Sequence, residues 1–401
     1  MGALSSLIAV TAVAAPVAAA AKPVRMGHNA NAFGTSAKVS SVFTSSPSGL
    51  AALGCTNTSG LQNSNTVVGG GFLTAGFVGA VNDTVSTKGS STSAESQIAT
   101  VSLFSDELHS DTVTVTASVS HDDSGFTFTG DTQAENLVIN GSPMTVPAPN
   151  TVIPIPGLGN LTVNEQITSH TKTTATIIEN AFHLEVLATN AFNFPVGANI
   201  VVGHAQASLT TVPSRYVDGQ AYGSQVQGTG INAGRSALVF LPCDGTNGRT
   251  KTHSLQTTTV PNVISIGTQK STVTGVGSKG FATSTSTESV QNITLINLIS
   301  IDSVKAVASA QSIGKTRTFN DTGSSSAGIS VLGIPTIPDN VKPNTTYPIQ
   351  GVGTLYLHRI IQTDHKIEVR MVELVVTVDT GTLPVGTDIR IGVAEASIHS
   401  T

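Results

Sequence analysis

The chain carries one long segment twice. Pro195-Val196-Gly197-Ala198-Asn199-Ile200-Val201-Val202-Gly203-His204-Ala205-Gln206-Ala207-Ser208 is answered 189 residues later by Pro384-Val385-Gly386-Thr387-Asp388-Ile389-Arg390-Ile391-Gly392-Val393-Ala394-Glu395-Ala396-Ser397. Ala32-Phe33-Gly34 matches Ala221-Tyr222-Gly223, and Leu53-Gly54-Cys55 matches Leu241-Pro242-Cys243. Such a duplication confines the 401 residues to two related domains, each large enough for its own core. Copy one is expected over 32–211 and copy two over 221–401. The connection between them is too short to be a free tether, so the copies are expected to pack together.

The hydrophobic period within each copy is two. Val113, Val115, Ala117 and Val119 share one face of a strand, with Thr112, Thr114, Thr116 and Ser118 on the other. Val304, Ala306, Ala308 and Ala310 repeat the pattern in copy two. Branched Val and Thr fit a pleated surface, and turn signals such as Asn140-Gly141-Ser142-Pro143 and Pro156-Gly157-Leu158-Gly159 separate the runs. The expectation is all-β: two tandem related β-sandwich (or barrel-like) domains after an N-terminal signal segment. Gly203, Ala205 and Ala207, with Gly392, Ala394 and Ala396, put small residues on one strand face, where another sheet can approach closely.

Residues 1–21 read as that signal segment. Ala3 to Ala21 is apolar or small and ends in an A-x-A-type cleavage site before Lys22, although a basic opening is missing. A buried helix or a spanning anchor is the competing reading, and the run is short and Ala/Ser/Thr-rich for a span. No hydrophobic anchor is expected in the mature chain. Charged residues are only 11% of the sequence, so the surface is hydroxyl-rich, which suits a secreted or cell-surface protein. A net charge of −5 without a Lys/Arg cluster excludes an electrostatic footprint for nucleic acid or anionic lipid.

The two cysteines fall at matching positions. A bond between Cys55 and Cys243 would tie the copies together and, in the chain-entropy picture, stabilise by about 4–5 kcal/mol. Two buried thiols or an intermolecular pairing are the alternatives.

The order of the landmarks resembles the choice-of-anchor P family of exported actinobacterial proteins. The residues that carry the likeness are Ala32-Phe33-Gly34, Gly157-Leu158-Gly159 running on to Asn164-Glu165-Gln166, and Val202-Gly203-His204-Ala205. Copy two has Ala221-Tyr222-Gly223 and Gly351-Val352-Gly353, but His358-Arg359-Ile360 where copy one has Asn164-Glu165-Gln166. The resemblance implies export and variable modes of attachment. It implies no activity, and no anchor of its own is expected for this chain.

Comparing the copies also weighs the candidate chemistry. His204 aligns with Val393 and Glu165 with Arg359, which favours packing or surface hydrogen bonds over catalysis. His121-Asp122-Asp123, with Asp131 nearby, could offer oxygens to a hard cation, but the spacing is not that of an EF-hand and fits a solvated hairpin turn. Adjacent Asp122 and Asp123 would point to opposite faces of a strand, unlike a glycosidase pair. There is no nucleophile elbow, no His-Glu-x-x-His and no Cys-x-x-Cys. No catalytic residue, metal site or cofactor is expected.

The function expected first is a non-enzymatic, exported structural protein of the envelope or extracellular matrix, acting through packing or self-association, with itself or envelope components as partner. A binding module or adhesin for a glycan or surface protein is the alternative. Tyr216, Tyr222 and Tyr347 would then supply the aromatic contacts, in a chain without tryptophan. A secreted hydrolase is the third reading.

Overall fold

A computed structural model describes residues 25–39, 43–45, 47–72, 74–212, 215–228, 231–260, 262–278, 280–334 and 336–400. The expected signal segment, residues 1–21, lies outside the described residues. Within them the chain is built from antiparallel strands, and no helix is long and apolar enough to cross a membrane.

The buried side chains gather into two cores. One runs from Met26 to Leu209 and the other from Val217 to Ile398. Each belongs to a β-sandwich. In the first half, one sheet has the order Thr151–Ile155, Gly159–His170, Thr174–Val186, Asn199–Thr211, Met26–Val39. The opposing sheet has the order Gly125–Glu135, Thr112–Asp122, Ser91–Ile98, Val81–Lys88, Gln62–Val67. The second half repeats the first sheet with Thr345–Ile349, Gly353–Gln362, Lys366–Val376, Asp388–Ser400 and Arg215–Gly228. Its opposing sheet centres on Gln269–Ser278, Phe281–Leu295 and Ile299–Ile313. The period-two reading holds: Val113, Val115, Ala117 and Val119 are buried, as are Val304, Ala306, Ala308 and Ala310.

The repeat extends to register. Ala30, Ala32 and Phe33 pair with Ala207, Ala205 and His204. Gly219, Ala221 and Tyr222 pair with Ala396, Ala394 and Val393, so every partner is displaced by the same 189 residues. A crease crosses the first sheet of each half at one level. Asn164 and Gly203 are left-handed there, at φ 55° and 67°, on strands that flank Ala181. In the second half His358 and Gly392 are left-handed at φ 51° and 62°, flanking Met371. Left-handed residues cost little for Gly and are tolerated by polar side chains that bond locally. Asn164 Nδ2 accordingly donates to the Pro147 carbonyl at 3.0 Å, and His358 bonds the Val341 carbonyl at 3.2 Å. The two copies therefore keep the crease while exchanging Asn for His.

The sheet edges differ between the halves. The outer strands Thr151–Ile155 and Thr345–Ile349 each carry an exposed proline, Pro154 and Pro348, which has no N–H to offer a neighbour. Gly125–Glu135, by contrast, is an edge of 11 residues that pairs, among the described residues, with Thr112–Asp122 alone. In the second half the corresponding flank of Ile299–Ile313 is divided among Thr316–Asn320, Ser325–Ala327 and Ser330–Val331.

Candidate functional site

The halves meet at a seam fastened by a disulfide. Cys55 and Cys243 are bonded, with Cα atoms 5.0 Å apart, and both are buried against Tyr216. Copy one has Gly27 where copy two has Tyr216, and the exchange is steric. A Cβ on Gly27 would stand 2.7 Å from Cys243 Sγ. Tyr216 donates its hydroxyl to Asn57 Oδ1 at 2.8 Å across the seam. Asp218 Oδ1 accepts the Cys55 N–H at 3.2 Å and the Gly219 N–H at 2.8 Å. Burial first, and then the charge of Glu395, pushes the Asp218 carboxyl up to about 7.

Two clefts open along this seam, and they are copies of one another. The first, about 120 Å³, is lined by Leu50, Asn63, Asn65, Gln227, Arg235 and Leu238 among others. The second, about 320 Å³, is lined by Leu238, Lys251, His253, Lys38, Pro47, Leu50, Phe33 and Phe240 among others. Advancing the first set by the repeat carries Asn63 to Lys251, Asn65 to His253 and Leu50 to Leu238. It also relates Gln227 to Lys38. One hydrogen bond survives the exchange. Asn65 Nδ2 donates to the Leu50 carbonyl at 3.2 Å, and His253 Nδ1 donates to the Leu238 carbonyl at 2.9 Å. The backbone frame is thus common, while three carboxamides in one cleft are replaced by three basic groups in the other. Burial lowers the pKa of Lys251 and of His253, and the charges of Lys38 and Lys251 depress His253 further. Asp244 acts on Lys251 in the opposite sense.

The tyrosines expected to face a sugar do not do so in two cases of three. Tyr216 and Tyr222 are each 2% exposed. Tyr216 is stacked on His399 with ring centroids 4.7 Å apart, and Tyr222 lies under the Arg235 guanidinium at 5.2 Å. Both sit on the Arg215–Gly228 strand; Cys55 and Asn57 of the first half cover Tyr216 at the seam, whereas Tyr222 is enclosed within its own half by Gln225 and Arg235. Tyr347 is half-buried on its edge strand against the second core.

His121, Asp122 and Asp123 fall at the hairpin between Thr112–Asp122 and Gly125–Glu135. Asp122 Oδ1 accepts from the Ser124 N–H at 2.8 Å and the Ser124 hydroxyl at 2.6 Å, bonds that hold its carboxyl below the usual range. His121 packs edge-on against Phe126. Asp131 lies along the neighbouring strand, bonded by Gln133 Nε2 at 2.8 Å. Among the described residues no group of three or more His, Cys, Asp or Glu is placed to hold a metal.

Glu165 and His204 meet in one network on the outer sheet of the first half. His183 Nδ1 donates to Glu165 at 3.0 Å, and Asn180 Nδ2 donates to Glu165 at 2.6 Å. His204 Nδ1 donates to Asn180 Oδ1 at 2.6 Å while Phe33 stacks on the ring at 4.2 Å. Burial drives His204 down to about 3, leaving it neutral. In the second half the same face holds an ion network, with Arg370 paired to Glu368 at 2.6 Å and to Glu373.

The basic cleft was not legible in one reading of the sequence, because Lys38 and Lys251 lie 213 residues apart. Its signal was available in the comparison of copies, as positions where one copy is basic and the other an amide. Compared with known proteins, the chain matches no family model, no curated protein and no solved structure.

Proposed function

We propose that this is an exported, non-enzymatic β-protein of the cell envelope or extracellular matrix that works by packing and self-association, and that it belongs with the choice-of-anchor P proteins. The disulfide across the seam supports the exported setting, since such bonds persist in oxidising compartments. The observation that carries self-association is the long open edge Gly125–Glu135. Its outward Thr127, Thr129, Asp131 and Gln133 are exposed, and an unpaired strand of this length is a template for a second chain. Among the described residues it is the one open edge of that length, and with prolines blunting Thr151–Ile155 and Thr345–Ile349 this favours a closed two-fold pair over an open fibre.

Light scattering on the oxidised chain across concentration tests this. A dimer is expected, and a Thr127→Lys/Thr129→Lys variant, which sets like charges on the pairing edge, is expected to stay monomeric. A wild-type monomer at every concentration overturns the reading.

The binding-module alternative draws on a different observation. The two seam clefts share a frame but differ in charge, as expected where one has been turned to a ligand.

A further inference from the structure

From the charge and lining of the larger seam cleft, we infer that it is a binding site for a small amphiphilic anion, an apolar body carrying one acidic head group. The inference goes beyond self-association and is independent of the Gly125–Glu135 edge.

Much of the lining is apolar: Phe33, Phe240, Leu50, Leu238 and Val239. A volume of about 320 Å³ falls at the lower end of small-molecule sites, enough for a medium-length alkyl chain or a pair of fused rings. Its rim is basic. Lys38, Lys251 and His253 converge, and no carboxylate is among the described lining residues. Neither lysine takes part in an ion pair among the described residues; Asp244, outside the lining, is the acidic group that acts on Lys251. An anion in the cleft would set its head group by the two lysines and its apolar body along Phe33 and Phe240.

The sister cleft is a built-in control. It keeps the shared frame through Leu50 and Leu238, has carboxamides at the three basic positions, and is less than half the volume. Ala52 stands there where the larger cleft has Phe240. Basic groups at these three positions and phenyl rings therefore line one cleft together and not the other.

The probe is decanoate, titrated into the full oxidised chain by calorimetry, with decanol, decylammonium and inorganic phosphate as comparisons. Saturable one-to-one binding of decanoate is expected, with at least tenfold weaker binding of the other three. K38Q/K251N/H253N installs the residues of the sister cleft and is expected to weaken decanoate at least tenfold. Asn63→Ala, in the sister cleft, is expected to leave it unchanged. Lys38 is exposed, so Lys38→Gln alone carries the test if the triple variant does not fold, with a threefold or greater loss expected. No binding of decanoate, equal binding of decanol or phosphate, or undiminished binding by the basic-site variants overturns the inference. Oligomeric state is read separately, so failure here leaves the light-scattering result standing.

Discussion

Gly203 and Gly392 hold the same place in the two halves, each with a valine of the opposing sheet lodged against its α-carbon. A Cβ on Gly203 would stand 2.8 Å from Val115 Cγ2, and one on Gly392 2.8 Å from Val304 Cγ2. Both glycines are left-handed. The small residue is required twice over, by backbone conformation and by the approach of the second sheet. Gly203→Ala is expected to cost about 3 kcal/mol, from left-handed strain plus overpacking. Gly392→Ala should behave alike. Denaturant midpoints check both, and Val115→Ala should recover only the steric part of Gly203→Ala.

The Cys55–Cys243 bond closes a loop with a sequence separation of 188 residues. Its removal by Cys55→Ser/Cys243→Ser is expected to cost about 5 kcal/mol in the chain-entropy picture. The loss should appear as a lowered melting temperature. Reductant should lower the wild type to the same value and leave the variant where it was. Unchanged melting in the variant would show that packing alone secures the seam.

Asp83 is fully buried between the sheets, and neither carboxyl oxygen has a hydrogen-bond partner among the described residues. Burial pushes it up to about 8. The folded state therefore keeps a proton that the unfolded chain releases near its ordinary value of 3.8. Stability falls as pH rises through this interval, and on the order of 1 kcal/mol should be lost between about pH 7 and about pH 9. Asp83→Asn should flatten that slope. His183, raised from 6.5, and Asp218, pushed up to about 7, also lose stability as pH rises, so the Asp83 share is the difference between the wild type and Asp83→Asn. His28, His204 and His399 are lowered by burial, so their cost arises only on acidification below 6.5.

His183 donates from both ring nitrogens, to Glu165 and, at 3.0 Å, to Asn199 Oδ1. Asn199 Nδ2 is committed to the Gly197 carbonyl, which fixes its oxygen toward the ring. The imidazolium is thus favoured, chiefly by Glu165, and its pKa is raised from 6.5. Its contribution is complete below 6.5 and disappears as pH rises through the folded value. His183→Gln should cost about 1 kcal/mol at mildly acid pH and little in alkaline solution. An NMR titration should place His183 above 6.5 in the wild type and lower in Glu165→Gln.

The sequence by itself determined the duplication, the all-β class and the inward face of strands such as Thr112–Asp122. These follow from period-two alternation and repeated turn residues, which act within a few residues of one another. The cysteine pair was one of three open readings there, and the structure settled it as a bond. Tertiary packing alone decided that Tyr216 lies inside the seam and Tyr222 inside the second half, because aromatic content says nothing about what covers a ring. It likewise decided that Lys38, Lys251 and His253 converge. Their proximity depends on how two finished sandwiches dock, and docking geometry is set by summed contacts over both surfaces rather than by any local pattern in the chain.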